Sequence, residues 1–173
     1  MKMRFLITLL VLFLVAGCGV TETGNPCPGG DCGGVTSAPT LEDQSIYENT
    51  QFGIRIPYSD QWTADEAADG NSVTFTHSGT PATTALFEFE RIDPAPQSLL
   101  LYLQEKYPDR AFHVFSTYTS QGYCYDDTSP GPNNGDAAEY FFLNVDVLVH
   151  VSAEVFTMSQ TDFVQLLKGM TFE

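Results

Sequence analysis

The sequence predicts an α+β domain over residues 46–173, a central antiparallel sheet of about six or seven strands covered by two helices. Three observations carry that expectation. Apolar and polar residues alternate with period two in several short runs, which marks strands with one buried face. The early runs are joined by connections too short for parallel crossovers, so they form an antiparallel meander. Two segments then change to helical spacing, which sets helices against the sheet.

Along the chain, Phe52, Ile54 and Ile56 alternate with Gly53 and Arg55 until Pro57 stops the run. Val73 and Phe75 alternate with Ser72, Thr74 and Thr76, after the turn chemistry of Asp69-Gly70-Asn71. From Thr83 to Ile92, Ala85, Phe87 and Phe89 oppose Glu88 and Glu90. Those three runs are read as consecutive strands of one meander. After Pro94, Leu99, Leu100, Tyr102, Leu103 and Tyr107 surround Gln104, Glu105 and Lys106, predicting an amphipathic helix ended by Pro108. Strands resume near Phe112–Tyr118, Gly122–Asp126, Ala137–Leu143 and Val147–Phe156. A second helix begins near Thr161-Asp162, where a hydroxyl cap and an acid suit the first turn, and turns Phe163, Leu166, Leu167 and Met170 inward.

The whole chain is acidic, with 7 Lys+Arg against 22 Asp+Glu and a formal charge of −15. Such a surface repels phosphate backbones, so nucleic acid is not expected as a partner. The 43% of hydrophobic residues are enough for a packed core.

Residues 1–17 read as a signal peptide: Lys2 and Arg4, then an apolar run from Phe5 to Ala16 broken only by Thr8. Twelve residues rise about 18 Å as a helix, short of a hydrocarbon core of about 30 Å. The run ends in Val15-Ala16-Gly17-Cys18, which resembles the bacterial lipobox. The resemblance implies that Cys18 is lipidated and becomes the first residue of the mature protein, held in the bilayer by acyl chains of the palmitate type. Removing residues 1–17 leaves 5 basic against 22 acidic residues, a balance of −17. Anionic headgroups repel that charge, so the acyl chains must supply the attachment. Gly19, in place of a retention-signal Asp, points by the same resemblance to the outer membrane of the cell envelope.

Residues 18–45 are dominated by Gly, Pro, Ser and Thr and predict a flexible tether, with a typical reach of about 30 Å. Within it, Cys27-Pro28-Gly29-Gly30-Asp31-Cys32 closes a short loop by its turn-forming insert. With Cys18 acylated, Cys27, Cys32 and Cys124 allow three single pairings in an oxidising compartment. Proximity favours Cys27–Cys32, for which loop closure supplies about 2 kcal/mol. Redox sites use Cys-x-x-Cys and a tetrahedral metal needs four ligands, so neither use is preferred. Cys124, between Tyr123 and Tyr125, reads as a buried strand thiol.

A start of the form Tyr47-x-x-x-x-Phe52-Gly53-Ile54-x-Ile56-Pro57-x-x-x-x-Trp62, a helix between the third and fourth strands, and the ending Phe163-x-x-Leu166-Leu167-x-x-Met170-x-Phe172 resemble the PsbP/Mog-type superfamily, which includes DcrB-like envelope lipoproteins. The resemblance implies a sandwich that docks to another protein. It implies no activity, since function on a shared fold resides in the site.

Candidate chemistry is sparse. His77, His113 and His150 stand in no metal-ligand spacing, and His113 and His150 read as strand residues making structural hydrogen bonds. No Gly-x-Ser-x-Gly elbow is present. The loop Asp126 to Asp136 gathers carboxylates, amides and carbonyls that suit Ca²⁺, though its two prolines and Asn-Gly also suit a plain solvated turn. Asp60, Asp65, Glu66 and Asp69 surround Trp62 with negative charge, read as a solubilising face with Trp62 in the core in preference to a docking patch for a cationic partner. No catalytic residue, metal ligand or cofactor is assigned. The expected function is a non-enzymatic, membrane-anchored envelope lipoprotein whose domain is a protein-binding or assembly platform. The alternative is a periplasmic ligand-binding, calcium-binding or hydrolytic protein with a pocket between helix and sheet.

Overall fold

The computed structural model describes residues 44–125, 136–156 and 160–173. Cys18, Cys27 and Cys32, the signal-peptide and tether expectations, and the candidate calcium loop save the backbone of Asp136 all lie outside the described residues.

The described chain runs β1 (Ser45–Asn49), β2 (Ile54–Tyr58), β3 (Trp62–Glu66), β4 (Ser72–His77), β5 (Thr84–Arg91), α1 (Leu99–Lys106), β6 (Phe112–Ser116), β7 (Gln121–Tyr125), β8 (Asp136–Asn144), β9 (Val147–Val155), α2 (Gln160–Gly169) and β10 (Thr171–Phe172). Seven strands form an antiparallel sheet in the order β3-β4-β5-β9-β8-β7-β6, and three form a second sheet, β1-β2-β10. The chain climbs β3 to β5, crosses by α1 to the far edge, and returns through β6 to β9 to pair β9 with β5. The α+β class and the strand number of the main sheet are as predicted.

The meander differs from expectation in its first member. The Phe52–Ile56 run forms most of β2, which belongs to the second sheet between β1 and β10. The strand before β4 is instead β3, whose acids read from sequence only as part of a solubilising face around Trp62. Period two shows that a strand has one buried face but not which sheet receives it. The turn closed by Trp62 N–H to the Ser59 carbonyl, at 3.1 Å, carries the chain from one layer to the other.

One face of the large sheet is the core. Val73, Phe75, Phe87, Tyr140, Phe142, Val149 and Val151 are fully buried on it. Ile54 and Ile56 of the small sheet and Phe163, Leu166, Leu167 and Met170 of α2 and its end close over them. The Phe163 ring meets Tyr140 edge-on at 5.7 Å. Trp62 is buried as expected, its indole edge-on to His77 at 4.9 Å. The start of α2 at Gln160 places Thr161 inside the first turn, so the predicted hydroxyl cap is not at that residue.

Among the described residues, a single helix lies on the other face of the sheet. α1 is capped by Ser98, whose side chain accepts the Leu101 N–H, and it buries Leu99 and Leu103 on Phe141 and Leu148. That cover stops short of β3 and β4. Away from α1, Thr74 of β4, Thr84 and Leu86 of β5 and Ser152 and Glu154 of β9 line a shallow depression of about 260 Å³. Cys124 is buried on β7 as predicted, but it is disulfide-bonded and not a thiol.

Candidate functional site

Strand alternation and register assemble a polar cluster on the α1 side of the sheet. Glu88 on β5 stands opposite His150 on β9, and His150 stands opposite Phe141 on β8. Glu139 lies two residues before Phe141, so it shares that face. His150 Nδ1 is 3.1 Å from Glu88 Oε2, and Nε2 is 3.5 Å from Glu139 Oε2. The imidazole lies parallel to the Phe141 ring, 4.6 Å between centroids at 3°. Glu139 Oε2 in turn accepts from Arg110 Nη1 at 2.5 Å. The Arg110 guanidinium sits 4.7 Å from the Tyr107 ring and 4.5 Å from the Tyr125 ring. Four side chains of alternating acid and base, Glu88, His150, Glu139 and Arg110, thus cross three elements of the fold.

The electrostatics follow from that chain. The His150 ring, set against partial burial and reinforced by the Arg110 guanidinium, holds the Glu139 carboxyl below the usual carboxylate range. A neutral imidazole has one N–H and can serve one of its two carboxylates; the imidazolium can serve both. Beside the cluster opens a cleft of about 290 Å³, lined among others by Glu88, Glu90, Lys106, Tyr107, Phe141 and His150. Lys106 Nζ lies 3.3 Å from the Tyr102 hydroxyl oxygen, 5.5 Å from the Tyr102 ring and 5.7 Å from the Tyr107 ring. Partial burial pulls the Lys106 pKa down, but the Tyr102 hydroxyl together with Tyr107 and Glu90 outweighs it, and the net shift is upward.

No serine, threonine or cysteine lines this cleft, so the convergence of Ser, His and Asp that a hydrolytic pocket needs is not met there. His77 is organised differently. Its Nδ1 accepts the Gly79 N–H at 3.0 Å, so Nε2 carries the hydrogen and faces Gln61 Oε1 at 3.0 Å and Asp162 Oδ2 at 3.3 Å. With both nitrogens engaged and the ring buried, it ties α2 to the C-terminal end of β4. His113 lies on β6 opposite Cys124. Among the described residues, no group of three or more His, Cys, Asp or Glu could hold a metal ion.

The acidic residues around Trp62 are exposed, as predicted for a solubilising face. Two of them also work locally. Glu66 Oε1 accepts the Tyr47 hydroxyl at 2.8 Å, and Asp69 closes its turn on Asn71. The outer-face cleft was not legible as a site in sequence. Its only signal is that Glu88, Glu90, Glu139 and His150 all occupy outward positions of their strands.

No known family profile matches this chain, and no curated protein sequence matches it. Among solved structures it is similar to cyanobacterial PsbP (CyanoP) from Synechocystis sp. PCC 6803, with a TM-score of 0.51 at 12% identity, covering 84% of this chain and 99% of that one. A second structure, from Bacteroides thetaiotaomicron VPI-5482, has a TM-score of 0.47 at 7% identity, covering 78% of this chain and 49% of that one. The fold is therefore PsbP-like, an α+β sandwich.

Proposed function

We propose that the protein is a non-enzymatic lipoprotein of the bacterial cell envelope, anchored through acylated Cys18, whose PsbP-like domain serves as a protein-binding or assembly platform. The observation that carries this reading is the half-covered outer face of the main sheet. A seven-stranded sheet that buries one face completely and leaves a polar cleft and a shallow depression on the other offers a broad, rigid surface. The basic start, apolar run and Val15-Ala16-Gly17-Cys18 ending support the anchor. No described helix is long and apolar enough to cross a membrane, so an attachment of the described domain by lipid is compatible with its structure. The outer membrane is the proposed location, with nucleic acid excluded from the partners by charge.

Mild crosslinking and affinity isolation from native membranes is expected to return a reproducible, stoichiometric protein partner. Intact-mass measurement of the same preparation is expected to show a chain beginning at Cys18 with acyl chains attached. An unacylated chain retaining residues 1–17 would remove the anchor, and repeated isolation without a stoichiometric partner would remove the platform.

A further inference from the structure

The cleft beside α1 has the composition of a receptor for positive charge. Its walls include the half-buried Tyr107 ring, whose face carries negative potential, while the Phe141 ring below is buried and stacked on His150, and its mouth carries Glu88 and Glu90. Half of the Glu88 side chain is exposed, while His150 behind it holds Oε2 and fixes the carboxylate at the opening. The one lysine of the lining, Lys106, is drawn back over the two tyrosine rings. Lys106 shows that an ammonium is accommodated against the Tyr107 ring. A chain of formal charge −15 further selects against anionic partners and draws cationic ones toward the cleft.

We propose that this cleft receives a lysine or arginine side chain of a basic partner protein. The proposal rests on the platform reading for the origin of that side chain. The Tyr107 wall takes the alkyl stem, while Glu88 and Glu90 pair with the charged head. Lys106 is the internal competitor for the same wall.

The probe is a blocked Lys-Arg-Lys peptide titrated into the full-length purified protein at fixed ionic strength, with a blocked triglutamate peptide as control. Affinity is read by calorimetry and location by the ring-proton resonances of His150. The basic peptide is expected to shift those resonances saturably, and triglutamate to leave them unmoved. Glu88→Gln with Glu90→Gln is expected to weaken the basic peptide about tenfold, and Glu90→Gln alone, which leaves the His150 contact intact, about threefold. Removing two exposed acids elsewhere, Asp60→Asn with Asp65→Asn, is expected to change affinity less than about twofold. Lys106→Gln is expected to tighten binding, because it removes the competitor. Equal weakening by the two acid pairs, unmoved His150 resonances at saturation, or weaker binding in Lys106→Gln would each overturn the proposal. A membrane partner retained in equal yield by Glu88→Gln/Glu90→Gln protein would overturn the cleft and leave the platform standing. Peptide binding as expected without any membrane partner would do the reverse.

Discussion

Val145 adopts φ +56° in the turn between β8 and β9, and it is 78% exposed. A β-branched residue in the left-handed region crowds its Cβ against the following carbonyl, and no burial offsets that cost here. Val145→Asn is expected to raise stability by about 1 kcal/mol, read as a higher denaturant midpoint with an unchanged slope. Tyr47 offers a test of local burial. Its hydroxyl donates to Glu66 and accepts from Asn49, and its pKa is pushed up to about 12, first by burial. The folded value exceeds the ordinary tyrosine value of 10.0, so its stabilisation is complete below about pH 10 and is lost as pH rises through about 12. Ultraviolet titration should show a tyrosine that ionises only with alkaline unfolding. Glu139 has the opposite sign. Its folded pKa lies below the ordinary 4.5, so its contribution is full above that pH and disappears as pH falls through the lower folded value. The stability difference between wild type and Glu139→Gln should therefore be constant just above pH 4.5 and shrink on acidification, as followed by chemical denaturation.

At the scale of elements, Gly122 shows how tightly β7 is set against β8. A Cβ there would collide with the Phe141 carbonyl oxygen and the Phe142 ring. Backbone cannot move aside as a side-chain tip can, so Gly122→Ala is expected to cost about 1–3 kcal/mol and to expose apolar surface to dye binding. Helix α2 presents the complementary case. Phe163, Leu166 and Leu167 are buried against the sheet, so Phe163→Ala is expected to lose about 3–5 kcal/mol. The identity of this inward set was readable from the spacing of its apolar residues. The identity of β3 was not, because Asp65 and Glu66 on a strand edge look like turn residues until the partner β4 is known. β3 is an edge strand, and exposed acids there also discourage pairing with another chain.

For the whole molecule, charge dominates. Most of the described basic side chains face carboxylates, as in Arg55 with Glu48, Arg91 with Asp146 and Arg110 with Glu139, yet acids remain in large excess. Self-repulsion of that surface opposes folding and is screened by ions. Raising NaCl from about 20 mM to about 0.5 M is expected to raise the melting temperature by about 2–5 °C, measured by scanning calorimetry. A fall of the melting temperature with salt would mean that the ion pairs, not the excess charge, control stability. The cleft proposal belongs to this scale as well, since its ligand must complement the same field.

What could be read from residues alone was everything set by local period and local chemistry. The α+β class and the inward face of α2 follow from spacings of two and of three to four residues, and the end of the first helix from the chemistry of Pro108. The export signal is an expectation from the basic start and the apolar run, and the lipidation of Cys18 is what the lipobox resemblance implies. Pairing over long separations decided the rest. Glu88 meets His150 across 62 residues, Arg110 meets Glu139 across 29, and β2 leaves the meander to join β10 near the end of the chain. An outward parity marks Glu88, Glu139 and His150 as solvent-facing. Only the register between distant strands determines which of them share a cleft, because a slip of one residue would turn every one of them to the other side of the sheet.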